Sequence, residues 1–365
     1  MARASTTTST AESDPVAALI GPDGALTAEG ERRANVPTVT LREMYRLMVV
    51  CRRLDQEGLN LQRQGELGLW GPIAGHEATQ VGAALAMQPS DWIFPYYRDF
   101  AMAVARGIDP GSSMTWFRGL THSAWNPLEH NFGPLIISVG TQVPHAVGFA
   151  LGCKLDNEQK AVLVGFGEGA TSTGDWHEAM NFAGVFRPPI LFLCENNQWA
   201  ISVPIQEQVA GRVVDRAAGY GFPGVRVDGV DALSVYAVVN AAAERARQGG
   251  GPYLIEALTY RMQAHTTSDD PTRYRTEDEV APWRERDPIA RCAERLRTSE
   301  AFDDAFVAQC QQEAEDQASA MRAALLAAAP EHPARIFDAV FRNPPEALRR
   351  ERDEFLAALE SGDAQ

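Results

Sequence analysis

Lys160–Pro204 reads KAVLVGFGEGATSTGDWHEAMNFAGVFRPPILFLCENNQWAISVP, and the reading of this stretch decides the fold. Its opening run, Ala161 to Phe166, has the length and apolar composition of a buried strand. The run breaks into the glycine-rich loop Gly167-Glu168-Gly169. A helix is expected from Asp175, with Glu178 completing a capping box. Trp176, Ala179, Met180 and Ala183 recur at helical spacing and make one apolar face. Arg187-Pro188-Pro189 ends the helix, because proline cannot continue the hydrogen-bond ladder. A second apolar run, Ile190 to Cys194, closes in Glu195-Asn196-Asn197. Strand, helix and strand in this order form a βαβ unit, so the strands are parallel and the crossover right-handed.

Parallel strands place Glu168 and Asn197 just past two carboxyl ends, where open α/β sheets bind ligands. Glu168 offers a hard carboxylate oxygen and Asn197 an amide oxygen. Mg²⁺ is held by one or two such groups and fills its octahedron with water and substrate phosphates. A metal-bridged diphosphate site follows. The competing reading is a dinucleotide turn built on Gly165-x-Gly167. There the pyrophosphate packs directly on the loop backbone, and a carboxylate in mid-loop repels it. The third glycine, Gly169, also comes too early for that fingerprint.

Gly167-Glu168-Gly169 followed by Asn196-Asn197 resembles the thiamine diphosphate motif, usually written GDG and ending in NN. The words GATSTGDWHEAMNFA and ENNQWAISVP resemble the alpha chain of the decarboxylating component of 2-oxo-acid dehydrogenase complexes, over roughly residues 40–345. Glutamate stands where the pyruvate enzymes usually carry aspartate, a variant familiar among branched-chain members. The resemblance implies thiamine diphosphate and Mg²⁺, with Glu168, Asn197 and the backbone carbonyl of Trp199 as metal ligands. Gly169 and Ala170 then line the cofactor.

Further site residues follow from the same resemblance. In Asp91-Trp92-Ile93-Phe94-Pro95-Tyr96-Tyr97-Arg98 a short strand ends in a Tyr-Arg pair, and a guanidinium suits phosphate oxygens. The resemblance assigns Tyr97 and Arg98 to the diphosphate. It assigns the backbones of Ile137 and Val139, in ISVGTQ, to the aminopyrimidine ring. Ser138, Thr141 and Gln142 match residues that hold a potassium ion in some branched-chain members. The polar loop after the strand at Tyr253–Tyr260 carries His265, matched to a catalytic histidine that reaches the phosphate and the reaction intermediate. Thr266 beside it matches a phosphorylation site of mitochondrial relatives. Taken alone, His265 reads as an ordinary loop histidine. The resemblance places a loop bordering the active-site entrance over residues 118–142, where His122 and His130 are channel-lining or surface histidines, while His76, in the helix start Gly75-His76-Glu77-Ala78, reads as a helix-start or interface residue.

Elsewhere the chain is less specific. A helix with a capping box at Thr40 and Glu43 carries Leu41, Met44, Tyr45, Met48 and Cys51 on one face. That face and the small-residue helix over 140–152 are candidate burial surfaces for a partner. Asp231 caps a helix running to about Gln248. The expected organisation is an N-terminal arm over 1–36, an α/β thiamine diphosphate-binding domain over 37–280, and a helical C-terminal extension over 281–365 packing on it. The 365 residues suffice for a full core. A formal charge of −15 argues against nucleic acid and anionic membrane, which require clustered Lys and Arg. Five scattered cysteines without zinc spacing fit a reduced, intracellular protein, with the cytoplasm as the expected place and the mitochondrial matrix as the eukaryotic alternative. No apolar run approaches the ~20 residues of a membrane helix, and no secretory signal is legible at the start.

The function implied by the resemblance is oxidative decarboxylation of a 2-oxo acid, with acyl transfer to the lipoyl domain of the acyltransferase component. A separate beta subunit, in an α₂β₂ heterotetramer, supplies the glutamate that activates the aminopyrimidine. Branched-chain 2-oxo acids are the expected substrates, with pyruvate as the alternative. A non-oxidative thiamine-dependent decarboxylase subunit and a non-catalytic binding subunit are the readings from other classes. Intact Glu168, Asn197, Arg98 and His265 argue against the last.

Overall fold

The computed structural model describes residues 17–21, 25–28, 30, 36–121, 125–298, 302–338 and 340–361. Five parallel strands form its main sheet: β1 (Trp92–Phe94), β2 (Val162–Gly167), β3 (Ile190–Asn196), β4 (Gly224–Asp228) and β5 (Tyr253–Leu258), in the spatial order β1-β2-β3-β5-β4. The expected α/β architecture, with helices flanking a parallel sheet and a helical C-terminal part, is the one observed. Every residue of β3 is buried, as a parallel strand covered on both faces requires.

Alternate residues of the strands feed two separate cores. Leu163, Leu191, Leu193, Val227 and Ile255 pack with the helices Glu77–Ala86 and Ala232–Arg245. Val162, Val164, Phe166, Ile190, Phe192 and Leu254 pack on the other face with the helices Gln142–Leu155 and Gly174–Phe186. Trp176, Ala179, Met180 and Ala183 are the buried residues of that last helix, so its apolar face is the one read from the sequence.

Two helix starts differ from expectation. The 174–186 helix is capped by Thr173, whose hydroxyl accepts the Trp176 N–H at 3.3 Å. Asp175 instead lies in the first turn, where its charge complements the helix dipole. The first long helix, Thr38–Arg63, begins before Thr40 and has no side-chain cap. Pro37 sets its entry, and the Glu43 carboxylate pairs with Arg46 along the helix rather than closing a box.

The face 41–51 is not left open for a partner. Leu41, Met44, Tyr45, Met48 and Cys51 are buried within the chain, in a core completed by the helices Pro288–Thr298 and Asp304–Ala327. In contrast, none of the described residues of the last helix, Glu346–Ser361, is buried. Of the arm read over 1–36, residues 1–16, 22–24, 29 and 31–35 lie outside the described residues. Within the described part, Ala17 bridges Val227 in parallel, extending the sheet edge at β4. The Leu19 and Ile20 N–H groups donate to the Asp231 carboxylate at 3.0 and 2.7 Å. All five cysteines are buried and free, and burial pushes the Cys51, Cys153 and Cys194 thiols up. No helix among the described residues is long and apolar enough to cross a membrane.

Candidate cofactor and metal site

At the carboxyl ends of β1, β2 and β3 the loops enclose a cavity of about 400 Å³. Strand register explains why the motif residues meet there. Gly167 at the end of β2 lies opposite Glu195 of β3, so the two chains leave the sheet side by side. Glu168 then opens a short 3₁₀ turn, Glu168–Ser172. Its carboxylate, 1% exposed, accepts the Asn197 N–H at 3.1 Å. The Asn197 amide oxygen accepts the Trp199 N–H at 3.2 Å, and the Trp199 carbonyl accepts Arg261 Nη1 at 3.1 Å. Burial pushes the Glu168 carboxyl up to about 7, against the opposing pull of the Asn197 N–H and the Arg261 and Arg98 guanidiniums. A divalent cation in this place would counteract that shift by stabilising the ionised form.

Two guanidiniums stand beside these groups. Arg98, 1% exposed, donates through Nη1 to the Pro72 carbonyl and through Nη2 to the His265 carbonyl at 2.9 Å. Its Nε is buried without a hydrogen-bond partner among the described residues. His265 Nδ1 lies 3.3 Å from Arg98 Nη2 and 3.2 Å from Arg261 Nη1. Guanidinium nitrogens only donate. Nδ1 is therefore the acceptor, and the neutral ring carries its proton on Nε2. Burial, then Arg98 and Arg261, hold the imidazole down at about 3. The His265 N–H is anchored on Asp269 at 2.8 Å, and Tyr274 donates its hydroxyl to the same carboxylate.

Tyr97, Ile137, Val139, Gly169 and Ala170 also line the cavity. Ile137 and Val139 are half exposed, at 49% and 53%. The turn that carries them ends at Gly140 with φ +87°; a Cβ there would stand 2.6 Å from Thr173 Oγ1, so no larger residue fits. Ser138 and Thr141 share that turn, with the Thr141 N–H donating to the Ser138 carbonyl at 3.2 Å. Gln142 donates to the Gly165 carbonyl at 2.8 Å and keeps a buried Oε1 with no hydrogen-bond partner among the described residues. Thr266 lies at the same cavity wall.

Among the described residues, His76 and His130 lie apart from the cavity lining. His76 is at the helix start, fully buried, with Nδ1 2.6 Å from Glu195, so it presents no surface to a partner. His130 ends the short helix Pro127–His130, outside the cavity lining. His122 lies outside the described residues. Arg261 was missed as a site residue in the sequence. Its signal is a repeated pattern: Tyr260-Arg261 follows β5 as Tyr97-Arg98 follows β1. Among the described residues no group of three or more His, Cys, Asp or Glu is gathered for a metal. Mg²⁺ needs no such group, since one or two carboxylates with water and phosphate oxygens suffice to hold it.

The donor set, the cavity and the free guanidinium N–H fit a metal-bridged diphosphate. Comparison with known proteins points the same way. The family model described as "Dehydrogenase E1 component" matches residues 45–332. A 3-methyl-2-oxobutanoate dehydrogenase subunit alpha of Mycobacterium tuberculosis is 44% identical over 342 residues, covering 93% of each chain. A 2-oxoisovalerate dehydrogenase subunit alpha of Bacillus subtilis is 41% identical over 263 residues, 68% of this chain and 78% of its own. A pyruvate dehydrogenase E1 component subunit alpha of Bacillus cereus is 42% identical over 255 residues, 69% of this chain and 68% of its own. With the family model spanning most of its length and a relative aligned along nearly all of it, the chain belongs to the dehydrogenase E1 component family.

Proposed function

We propose that this chain is the alpha subunit of a branched-chain 2-oxo acid dehydrogenase, oxidatively decarboxylating its substrate and passing the acyl group to the lipoyl domain of an acyltransferase component. The observation that carries the reading is the meeting of Glu168, Asn197, Arg98 and His265 around one cavity, with Arg261 behind its lining bonded to both the Trp199 carbonyl and His265. Glu168 in the motif, together with the mycobacterial and Bacillus subtilis relatives, supports branched-chain substrates. The Bacillus cereus relative keeps pyruvate as the second reading.

Thiamine diphosphate, when bound, supplies the nucleophile for the 2-oxo carbon and takes up the electrons released with CO₂. The chain's own residues hold it. Glu168, Asn197 and the Trp199 carbonyl ligate Mg²⁺; a carbonyl has two lone pairs, so the Arg261 bond leaves one for the metal. Tyr97 and Arg98 hold the diphosphate, with Gly169 and Ala170 as its floor. The Ile137 and Val139 backbones face the aminopyrimidine. His265, neutral with its proton on Nε2, donates toward charge developing beside the cofactor. Ser138, Thr141 and Gln142 hold a potassium ion, for which the Gln142 Oε1, without a hydrogen-bond partner among the described residues, is a suitable ligand.

A beta subunit completes the site in an α₂β₂ assembly, and the assembly is cytoplasmic. The relatives' designation as alpha subunits supports such a partner. So does the surface: Gly148 and Gly152 face open space on helix 142–155, beside exposed Phe182, Val185 and Phe186. The test is CO₂ release by the chain mixed with its beta subunit. The expected result is a specificity constant for 3-methyl-2-oxobutanoate above that for pyruvate, with overlap, since one methylene is worth only about 1–3 kcal/mol. The reverse order would favour the pyruvate reading.

A further inference from the structure

Glu256 lies in the middle of β5, where the register sets it between Cys194 of β3 and Arg226 of β4. It is 1% exposed. A carboxylate inside a parallel sheet carries a desolvation cost that an aliphatic residue avoids. Its partners give a reason for its presence. Oε1 accepts Asn196 Nδ2 at 2.7 Å, and Oε2 accepts the Val214 N–H at 2.9 Å, with Arg226 Nε at an ion-pair distance of 3.4 Å.

Each partner leads to one of the two side chains assigned to the metal. Asn196 precedes Asn197 at the end of β3. With its amide nitrogen held by Glu256, its oxygen accepts the Gln198 N–H at 3.1 Å, fixing the turn that presents Asn197. On the other side, Val214 belongs to the segment that props the Glu168 loop. Arg216 donates to the Thr171 carbonyl at 2.6 Å, Thr171 Oγ1 donates to the Glu168 carbonyl at 2.7 Å, and Gln208 donates to the Gly169 carbonyl at 3.1 Å. One buried carboxylate thus ties together the loops that carry Glu168 and Asn197, while lining no part of the cavity itself.

We infer that Glu256 is a positioning residue for the metal site: it sets the separation of Glu168 and Asn197, and through it the affinity for Mg²⁺. The inference rests on the metal reading of those two residues. Partners behind metal ligands change metal affinity by about 10–100-fold when removed.

The experiment titrates Mg²⁺ at fixed thiamine diphosphate into the full chain assembled with its beta subunit, following protein fluorescence. The thermal unfolding of each cofactor-free variant is recorded beside it. Glu256→Ala and Asn196→Ala should each raise the half-saturating Mg²⁺ by about 10–100-fold. Glu256→Gln, which retains one acceptor for Asn196 but presents an amide donor to another donor, should fall between these and the wild type. The double variant Glu256→Ala/Asn196→Ala should raise it by less than the product of the two single effects, since the two residues share one contact. Asn197→Ala is the reference. If it leaves half-saturation unchanged, the metal reading itself fails. If Asn197→Ala raises half-saturation while Glu256→Gln and Asn196→Ala leave it unchanged, the role of Glu256 is overturned, whatever their unfolding temperatures. Should Glu256→Ala not fold, the glutamine and Asn196 variants decide the question.

Discussion

The Glu168 carboxylate accepts the backbone N–H of Asn197 at 3.1 Å across the carboxyl ends of two neighbouring strands. That contact turns two loops far apart in sequence into one oxygen-rich corner. It also holds the carboxylate in a buried place before any cation arrives, where its ionised form lacks adequate solvation.

Mg²⁺ affinity should therefore depend on pH. Burial raises the Glu168 carboxyl from 4.5 to about 7, so the metal-free chain favours the protonated form. The stability linked to this group is fully present below pH 4.5 and is lost as pH rises through about 7. The metal requires the ionised form. Apparent affinity should rise by about tenfold per pH unit up to about pH 7 and level off above it. Glu168→Gln should weaken binding and abolish the slope while keeping the fold. A flat profile in the wild-type titration would count against the assignment.

His265 should matter more for turnover than for cofactor binding. His265→Ala leaves Tyr97 and Arg98 to hold the diphosphate, so affinity should change little while kcat falls by about 10²-fold or more. The ring's pKa is depressed from 6.5 to about 3. Its linked stability is present above pH 6.5 and lost as pH falls toward 3. His265→Asn should accordingly flatten the acid side of the stability curve. Unfolding midpoints across that range, with steady-state rates, check both halves, and wild-type kcat in the alanine variant would remove the catalytic role.

The sheet and its ligand edge were legible because apolar runs, a helical face and prolines lie close together in sequence. Glu168 and Asn197 follow directly from strand ends. Arg261 and Glu256 were hidden for a different reason. Arg261 reaches the Trp199 and Ile201 carbonyls, and Glu256 reaches Asn196, across about sixty residues. No local pattern distinguishes such an arginine from a solvated one. Thr173 was overlooked as a cap because Asp175 and Glu178 offered a stronger local signature. The burial of the face 41–51 depended on helices more than two hundred residues downstream, so the sequence read as an open surface.

Asp231 should be a stability hub rather than a functional residue. Besides capping its helix through the Ser234 N–H at 3.1 Å, its carboxylate accepts the Leu19 and Ile20 N–H groups. Arg291 stands 3.8 Å away. Asp231→Ala removes the acceptor of the Ile20 N–H and the helix cap, while Leu19 keeps Ser234 Oγ and Arg291 keeps Asp228, at a cost of about 1–3 kcal/mol. Denaturant unfolding should register that loss, while the half-saturating Mg²⁺ stays at the wild-type value.

Alone, the chain should lack decarboxylase activity. Its main sheet has five strands, and the cavity at their carboxyl ends is lined by the groups proposed to hold the metal and the diphosphate. The backbones of Ile137 and Val139, assigned to the pyrimidine half of the cofactor, belong to residues about half exposed, at 49% and 53%, as residues awaiting a covering surface would be. A cofactor spanning that junction binds the assembled form better than the separate chains. Thiamine diphosphate and Mg²⁺ should therefore stabilise the complex by mass action, by about 2.7 kcal/mol at a hundred times the dissociation constant. Titrating beta subunit into the purified chain, with both ligands present, should give CO₂ release that saturates at equimolar chains. Sedimentation should show a tighter complex with the ligands than without them. Full turnover by the isolated chain would mean that it holds the pyrimidine-activating group itself.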